Sequence, residues 1–295
     1  MTSAYMLILL AAVAWGSLGI AGENLFKLGL LPTQIVWFRS TIAFAGILLL
    51  TMTANRSRLR IKRHDIPFFL AYGLISVALF YLSYLTAIEK TGVAAAAILL
   101  YTAPAITAIL SRMIYKEPID KLKLICIALT ISGCFLVVKG YDLNNLKLNT
   151  SGILWGLMAG LTYALYPIFG KHVADKYHPW TIILYSQGIG SLFLSTMFFP
   201  KTIITETQHP MTWVYLLYIG IIPTLFSYLC YNAALKHVAP GRASIIATLE
   251  PVAAVFFAYV FLGQLLEPVQ MAGAFLVVVA VIIVQLPKKF TFLKQ

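Results

Sequence analysis

Long stretches without a charged side chain constrain what this chain can fold into. Seven stretches of 20 or more residues contain no Asp, Glu, Lys or Arg: Met1–Gly22, Ile66–Ile88, Thr91–Ser111, Leu148–Gly170, Tyr177–Pro200, Pro210–Leu235 and Pro268–Pro287. About 20 apolar residues cross a bilayer core as a helix, and a spanning segment must satisfy its own backbone hydrogen bonds. Only 11% of the residues are charged and 60% are hydrophobic, which is too little charge to cover a soluble globule. The pattern predicts an integral membrane protein.

Three weaker segments complete the predicted set of spans. Leu28–Thr53 is interrupted by Arg39, and Ala243–Leu266 is interrupted by Glu250. Leu124–Val138 is short, but flanking lysines can extend from its ends to the interface. The prediction is therefore an all-α integral membrane protein with ten transmembrane helices. The predicted spans are 4–24, 33–53, 67–88, 92–114, 121–140, 151–172, 178–200, 212–235, 240–262 and 267–287.

Basic residues are distributed unevenly between the two sides that ten spans define. Sixteen Lys and Arg residues fall on the side of the 54–66 loop, including those of the 112–123 loop and the C-terminal tail. The opposite side has five, which are Lys27, Lys90, Lys139, Lys147 and Lys201. Because cytoplasmic loops carry an excess of Lys and Arg, both termini are predicted to be cytoplasmic in a multi-pass protein of the plasma or inner membrane. The net charge of +12 then needs no nucleic-acid partner.

The chain contains an internal repeat with an offset of 147 residues. The offset aligns Tyr81-Leu82-Ser83-Tyr84 with Tyr228-Leu229-Cys230-Tyr231, and Pro104 with Pro251. Each repeat then holds five helices, and because five is odd, equivalent helices cross the membrane in opposite directions. We predict two inverted five-helix repeats, residues 1–145 and 146–290. In such architectures the substrate site lies near the midplane, between the repeats.

Several short motifs carry a family resemblance across essentially the whole chain. They are Ala14-Trp15-Gly16-Ser17, Trp37-Phe38-Arg39-Ser40, Tyr84 with Ala87, Thr102-Ala103-Pro104 and Leu249-Glu250-Pro251. With these motifs the chain resembles the EamA-type permeases of the drug/metabolite transporter superfamily. The resemblance implies a ten-helix permease for amino acids or other small metabolites. One departure is Lys116-Glu117-Pro118, where the family often has Gly-Glu.

Two charged residues lie within predicted spans and are candidate binding residues. A carboxylate such as Glu250 is tolerated at membrane depth when it faces a cavity, finds a partner or holds a proton. Glu250 is therefore a candidate substrate contact and proton-coupling site, or else a protonated group bonded to a neighbouring helix. Arg39 is a candidate for binding a substrate carboxylate. The alternatives for Arg39 are pairing with Glu250 or Glu23, or extension to the interface as a topology anchor.

Aromatic and proline residues complete the candidate site. The predicted midplane aromatics are Trp15, Tyr81, Tyr101, Tyr163 and Tyr228, and Asn232 is a further polar contact. Together with Glu250, such rings would suit an amine or quaternary ammonium group through cation–π contact, although each ring alone also fits ordinary packing. Pro104 and Pro251 each remove a backbone hydrogen bond in mid-span. They are predicted gate or kink positions, with a static kink as the alternative.

Other function classes fit the sequence less well. All five histidines fall in loops or at span ends, which argues against a Ser–His site at the midplane. The chain has no P-loop string for ATP-driven transport, and a single mid-span acidic residue does not make a channel filter. We therefore predict a non-enzymatic secondary transporter without cofactor or metal. Its expected partners are a small-molecule substrate, the lipid bilayer and protons as coupling ion, with a homodimer as an open alternative.

Overall fold

A computed structural model of the protein describes residues 2–142, 149–198 and 209–286, and within these ranges the fold is all-helical. Lys147, Lys201 and the basic residues of the C-terminal tail, used above for the charge asymmetry, lie outside the described residues. The first helices are α1 (Thr2–Gly16), α2 (Leu18–Lys27), α3 (Pro32–Ala54), α4 (Ile66–Gly73), α5 (Phe80–Thr91), α6 (Val93–Leu100), α7 (Ala103–Tyr115) and α8 (Lys121–Val137). The others are α9 (Thr150–Ala174), α10 (Pro179–Phe198), α11 (Pro210–Gly220), α12 (Ser227–Leu235), α13 (Pro240–Ala247), α14 (Leu249–Leu262) and α15 (Pro268–Gln285).

Eight of the resulting helical segments are long and apolar enough to cross a membrane, counted over the described residues. The other two predicted spans correspond to α8 and α10, which pack within the same bundle. The all-α membrane fold is thus confirmed, while the count of ten crossings stays a prediction. Helix ends match the predicted spans within a few residues because proline and polar caps set many of them. Asp120, for example, accepts a hydrogen bond from Lys123 N at 2.8 Å and so begins α8.

Two spans contain a π-helical segment that the sequence did not indicate. One covers Leu74–Leu79 between α4 and α5, and the other covers Ile221–Phe226 between α11 and α12. The two segments lie 147 residues apart, at repeat-equivalent positions, which we define as positions separated by that offset. Pro223 lies inside the second segment and cannot donate a backbone hydrogen bond. Insertions of this kind bend a helix and re-aim its side chains.

Further irregularities repeat with the same offset. The fourth predicted span breaks after Leu100, where α6 ends, and the ninth breaks after Ala247, where α13 ends. Pro104 and Pro251 follow these breaks directly, in the first turns of α7 and α14. Each of these two helices is followed by a residue in the left-handed conformation, Lys116 with φ 54° and Gly263 with φ 67°.

Repeat-equivalent helices pack against each other in antiparallel fashion. Between α3 and α10, the Trp37 indole donates to the Ser195 hydroxyl at 2.8 Å, and Phe44 packs on Gly188. Between α8 and α15, Gln270 donates to the Val137 carbonyl at 2.9 Å. In both pairs, residue numbers rise along one helix as they fall along the other. Gly133 also faces Gly273 in the second pair, so the helices of these two equivalent pairs run in opposite directions.

The helix ends cluster on two faces of the bundle. On one face, Tyr177 donates to Asp65 at 2.6 Å and Lys171 donates to the Lys236 carbonyl at 3.0 Å. We call this side, which carries the 54–66 loop, the basic face. On the opposite face, Asn149 donates to the Lys90 carbonyl at 2.8 Å.

Candidate substrate-binding site

Aromatic rings from several helices surround a narrow cavity in the bundle. The Trp15 ring meets Tyr228 and Tyr231 edge-on, with centroids 5.4 and 5.3 Å apart. The cavity is small, with about 10 Å³ open to the centre of a water-sized sphere, which is roughly the room that one water molecule needs. Its lining residues are Trp15, Tyr163, Tyr166, Pro167, Tyr228, Tyr231 and Ser244. Three of the predicted aromatics therefore meet at one cavity, from α1, α9 and α12.

Glu250 lies beside this cavity at the first turn of α14. The Tyr163 hydroxyl donates to its Oε2 at 3.4 Å, which is a long hydrogen bond. Tyr101, at the break between α6 and α7, lies within electrostatic range of the same carboxylate. The helix break thus brings Glu250 to the edge of the aromatic site, where the described part of the chain gives its carboxylate one long hydrogen bond.

The tyrosines around the cavity form a cluster, which we define as Tyr81, Tyr163, Tyr166, Tyr228 and Tyr231. Arg39 lies on the other side of this tyrosine cluster from Glu250 and is 8% exposed. Its Nε donates to Thr224 Oγ1 at 3.0 Å, in the second π-helical segment, and its Nη2 approaches the Pro223 carbonyl at 3.5 Å. The guanidinium also lies 5.4 Å from the centroid of the Tyr81 ring. Arg39 and Glu250 form no direct ion pair with each other.

Two of the alternative roles of Arg39, pairing with Glu23 and extension to the interface, do not match its surroundings. Glu23 pairs with Lys27 at 2.9 Å, one turn away on the same helix. Arg39 is buried rather than extended to the interface. Its guanidinium is held by Thr224 and Pro223 of the second π-helical segment and lies beside the Tyr81 ring.

A chain of rings joins Arg39 to Glu250. The centroids of the Tyr81 and Phe80 rings are 5.0 Å apart, and those of the Phe80 and Tyr163 rings are 5.3 Å apart. The Tyr81 hydroxyl is buried and has no hydrogen-bond partner within the described parts of the chain. Because a buried hydroxyl without a partner is unfavourable, this group is available to a water molecule or a bound substrate.

Asn232 forms hydrogen bonds with the tyrosines that lie nearer the basic face. Its Nδ2 donates to the Tyr166 hydroxyl at 2.8 Å and to the Tyr228 carbonyl at 2.9 Å. The Tyr72 hydroxyl approaches its Oδ1 at 3.5 Å. Asn232 is 1% exposed, so it orients the rings from behind. Its placement favours support of the cavity wall, and direct substrate contact by Asn232 stays a prediction.

Sequence reasoning did not assign several of the cavity residues. Tyr166, Tyr231, Pro167 and Ser244 line the cavity, and Tyr72 supports it. Tyr166 and Tyr231 were recognisable as tyrosines at membrane depth, and Pro167 as a mid-span proline. Their common orientation was not recognisable, because it depends on how α9 and α12 rotate against α1.

The two faces of the bundle differ in how tightly the repeats meet. At the basic face, α7 packs against α13, and α9 packs against both α12 and α13. The repeat-equivalent pairs at the opposite face, α14 with α6 and α2 with α5 and α6, make at most marginal contact among the described residues. The helix pairs that close the bundle below the site at the basic face are therefore loose at the opposite face, where the repeats meet instead through α5 and α6 on α9.

An apolar helix bundle around a buried polar and aromatic site is typical of one class of protein, the multi-pass membrane transporters. The EamA-like transporter family model matches residues 2–139 and again residues 150–286. The chain therefore belongs to the EamA-like transporter family. Family and relatives point to a transport role rather than to catalysis.

Named relatives agree with this assignment. The chain is 31% identical over 201 residues to an uncharacterized transporter of Archaeoglobus fulgidus, covering 68% of this chain and 70% of the relative. It is 21% identical over 286 residues to the uncharacterized inner membrane transporter YicL of Salmonella typhimurium, covering 96% and 95%. It is 26% identical over 259 residues to the pseudopaline exporter CntI of Pseudomonas aeruginosa, covering 87% of each chain. A solved crystal structure superimposes with a TM-score of 0.81 at 15% identity, covering 97% of both chains, and supports the fold.

Proposed function

We propose that the protein is a secondary transporter that moves amino acids or related small metabolites by alternating access. One observation carries the proposal: Arg39 and Glu250 are held on opposite sides of a tyrosine cluster without pairing. An isolated charge at membrane depth is costly, so each gains from a ligand of opposite charge. A free amino acid carries a carboxylate for Arg39 and an ammonium group for Glu250.

The architecture in this proposal has ten crossings in two inverted repeats, residues 1–145 and 146–290, with both termini in the cytoplasm. The antiparallel packing of α3 with α10, and of α8 with α15, supports the inversion. The two separate matches to the family model support the division into repeats. In related architectures one repeat rocks against the other around a central site. The unequal packing of the two faces fits one end of such a cycle.

Protons are the proposed coupling ion, and Glu250 is the proposed coupling residue. The Glu250 carboxylate is half-buried beside the cavity, and among the residues that the structure describes its one hydrogen bond is the long one from Tyr163. Substrate ammonium and a proton can therefore compete for the same carboxylate. A carrier that releases one to accept the other couples the two fluxes.

A second candidate substrate class is cationic amines or quaternary ammonium compounds. Tyr163 beside Glu250 favours it, because cations bind aromatic faces. Arg39 beside Tyr81 disfavours it, because a simple cation would leave the guanidinium without a counter-charge. Competition between the two substrate classes therefore separates the candidates.

The proposal is tested with the purified full chain in lipid vesicles. Radiolabelled amino acids are offered with and without a pH gradient, and counterflow against unlabelled amino acid is measured. We expect saturable counterflow that an amino acid inhibits better than its decarboxylated amine. Uptake that does not saturate would indicate a pore, and better inhibition by the amine would favour the second candidate. An absence of amino-acid counterflow in active vesicles contradicts the proposal.

A further inference from the structure

A buried ion pair of the first repeat lies at the basic face, where the two repeats meet. Glu117 follows α7 and is 8% exposed, and Lys123 in α8 is 5% exposed. Lys123 Nζ donates to Glu117 Oε1 at 2.6 Å and to the Pro118 carbonyl at 3.0 Å. The Ser111 hydroxyl donates to Glu117 Oε2. Burial of such a pair is tolerated only when its hydrogen bonds are satisfied, and these contacts satisfy most of them.

The remaining partner of Glu117 comes from the other repeat. The backbone N–H of Gly241, at the start of α13, donates to Glu117 Oε2 at 3.0 Å. A carboxylate at a helix N-terminus is further stabilised by the helix dipole. A Cβ on Gly241 would lie only 2.8 Å from the same oxygen, so the contact requires glycine. Glu117 therefore joins α7 directly to α13.

The opposite face lacks this arrangement. The positions equivalent to Ser111, Glu117, Lys123 and Gly241 are occupied by Ala258, Gln264, Gln270 and Ala94. Gln264 is exposed, and α6 and α14 make at most marginal contact within the described residues. All four participants are thus replaced by residues that cannot form the same charged contact.

We propose that Glu117 is a positioning residue for transport, which holds the basic face closed by fixing the start of α13 against α7. It acts through the ninth span, because α13 leads across the break at Thr248 into α14, which carries Glu250. The pair on the opposite face, Lys139 with Glu267, is exposed, so the buried contact of Glu117 biases the resting carrier toward closure at the basic face. This inference rests on the alternating-access mechanism proposed above.

The test measures distances across both faces with pairs of spin labels. Met113 and His237, changed to cysteine, report on the basic face, and their repeat equivalents Val260 and Lys90 report on the opposite face. All four side chains are exposed, whereas the three native cysteines are buried. In the unmodified background, we expect a long basic-face distance in under roughly a tenth of the molecules, as for a minor conformer.

We call the contact between Glu117 and the start of α13 the lock. Two independent variants should release it. Glu117→Gln removes the charge, and Gly241→Ala inserts a methyl group against the carboxylate without changing charge. We expect each to make the long basic-face distance the major population, while the Val260–Lys90 distance shortens in parallel. Glu267→Gln, which breaks the exposed Lys139–Glu267 pair on the opposite face, is the matched control and should leave the basic-face distance unchanged.

The outcomes separate the lock from the transport proposal. Unchanged distances in a folded variant, or broadening of both pairs without reciprocal change, would overturn the lock, since simple loosening broadens both. If Glu117→Gln does not fold, the distances in Gly241→Ala alone test whether Glu117 holds the basic face closed. The distances are measured without substrate, so amino-acid counterflow with unchanged distances rejects only the lock. Shifted distances without any counterflow reject only the proposed substrate and transport cycle.

Discussion

Gly133 and Gly273 face each other where α8 and α15 cross, and neither position has room for a side chain. A Cβ on Gly133 would lie 2.7 Å from the Gly273 carbonyl oxygen, and a Cβ on Gly273 would lie 2.7 Å from the Gly133 oxygen. Small residues allow such close approach of membrane helices. The helices α8 and α15, which are the fifth and tenth predicted spans, therefore join the repeats through a close backbone contact.

Substitution at this crossing should destabilise the protein. Gly133→Ala forces a methyl group against a backbone carbonyl, and we expect a loss of about 1–3 kcal/mol, as for overpacking elsewhere. The measurement is thermal denaturation of the purified protein in detergent. Gly19→Ala is the control, because a Cβ there meets nothing within 4 Å. Equal melting temperatures for the two variants would contradict the close approach.

Glu250→Gln should impair transport by removing the counter-charge for a substrate ammonium group and the exchangeable proton. We expect amino-acid uptake to fall at least about tenfold, which corresponds to about 1.4 kcal/mol of interaction. Uptake is measured in vesicles across a pH gradient. Glu267→Gln, at an exposed ion pair, is the control. If Glu250→Gln vesicles keep the rate and its pH dependence, Glu250 has no part in the mechanism.

Arg39→Gln should raise the KM for amino acids more than that for the corresponding amines, because only amino acids present a carboxylate. Arg39→Lys keeps the charge but loses the fixed donation from Nε to Thr224, so we expect an intermediate effect. Competition assays with paired amino acids and amines measure the difference. Arg56→Gln, at an exposed arginine, is the charge-matched control. Equal loss for both substrate classes would argue for a structural role of Arg39.

Asn232→Leu should destabilise the wall of the cavity nearer the basic face. The change leaves the Tyr166 hydroxyl without its amide donor in a buried environment, where a lost partner costs about 1–3 kcal/mol. Thermal denaturation measures the effect. Thr53→Ala is the control, since the Thr53 hydroxyl bonds only local carbonyls at an exposed position. A near-neutral Asn232→Leu would mean that water replaces the amide.

Glu267 gives a pH-dependent contact just before α15, whose observed span begins at Pro268. The hydrogen bond from Lys139, with a second from Tyr141, holds the pKa of Glu267 below its ordinary value of about 4.5. A lowered carboxyl pKa stabilises the folded protein above the unfolded-state value, and the gain is lost as pH falls through the folded pKa. The melting temperature should therefore exceed that of Glu267→Gln at pH 7. The difference should shrink below about pH 4.5, and a pH-independent difference would exclude this linkage.

Much of the fold follows from local sequence properties. Uncharged stretches located the spans because lipid excludes both bare charges and unpaired backbone groups. The 147-residue offset, first recognised from paired tyrosines and prolines, also relates the helix breaks and the left-handed residues Lys116 and Gly263. The π-helical segments were not predicted, because they depend on packing by neighbouring helices more than on local composition.

The candidate site was predictable in its chemistry and only partly in its membership. Glu250 and Arg39 were conspicuous because charge at membrane depth is rare. The tertiary structure decided that these two residues face a common tyrosine cluster without pairing. It also decided that Tyr166 and Tyr231 line the cavity, and that Glu117 reaches Gly241 across the repeats. The physical reason is that hydropathy is a property of a single segment. Which side chains meet depends on the rotation and close approach of helices far apart in the chain.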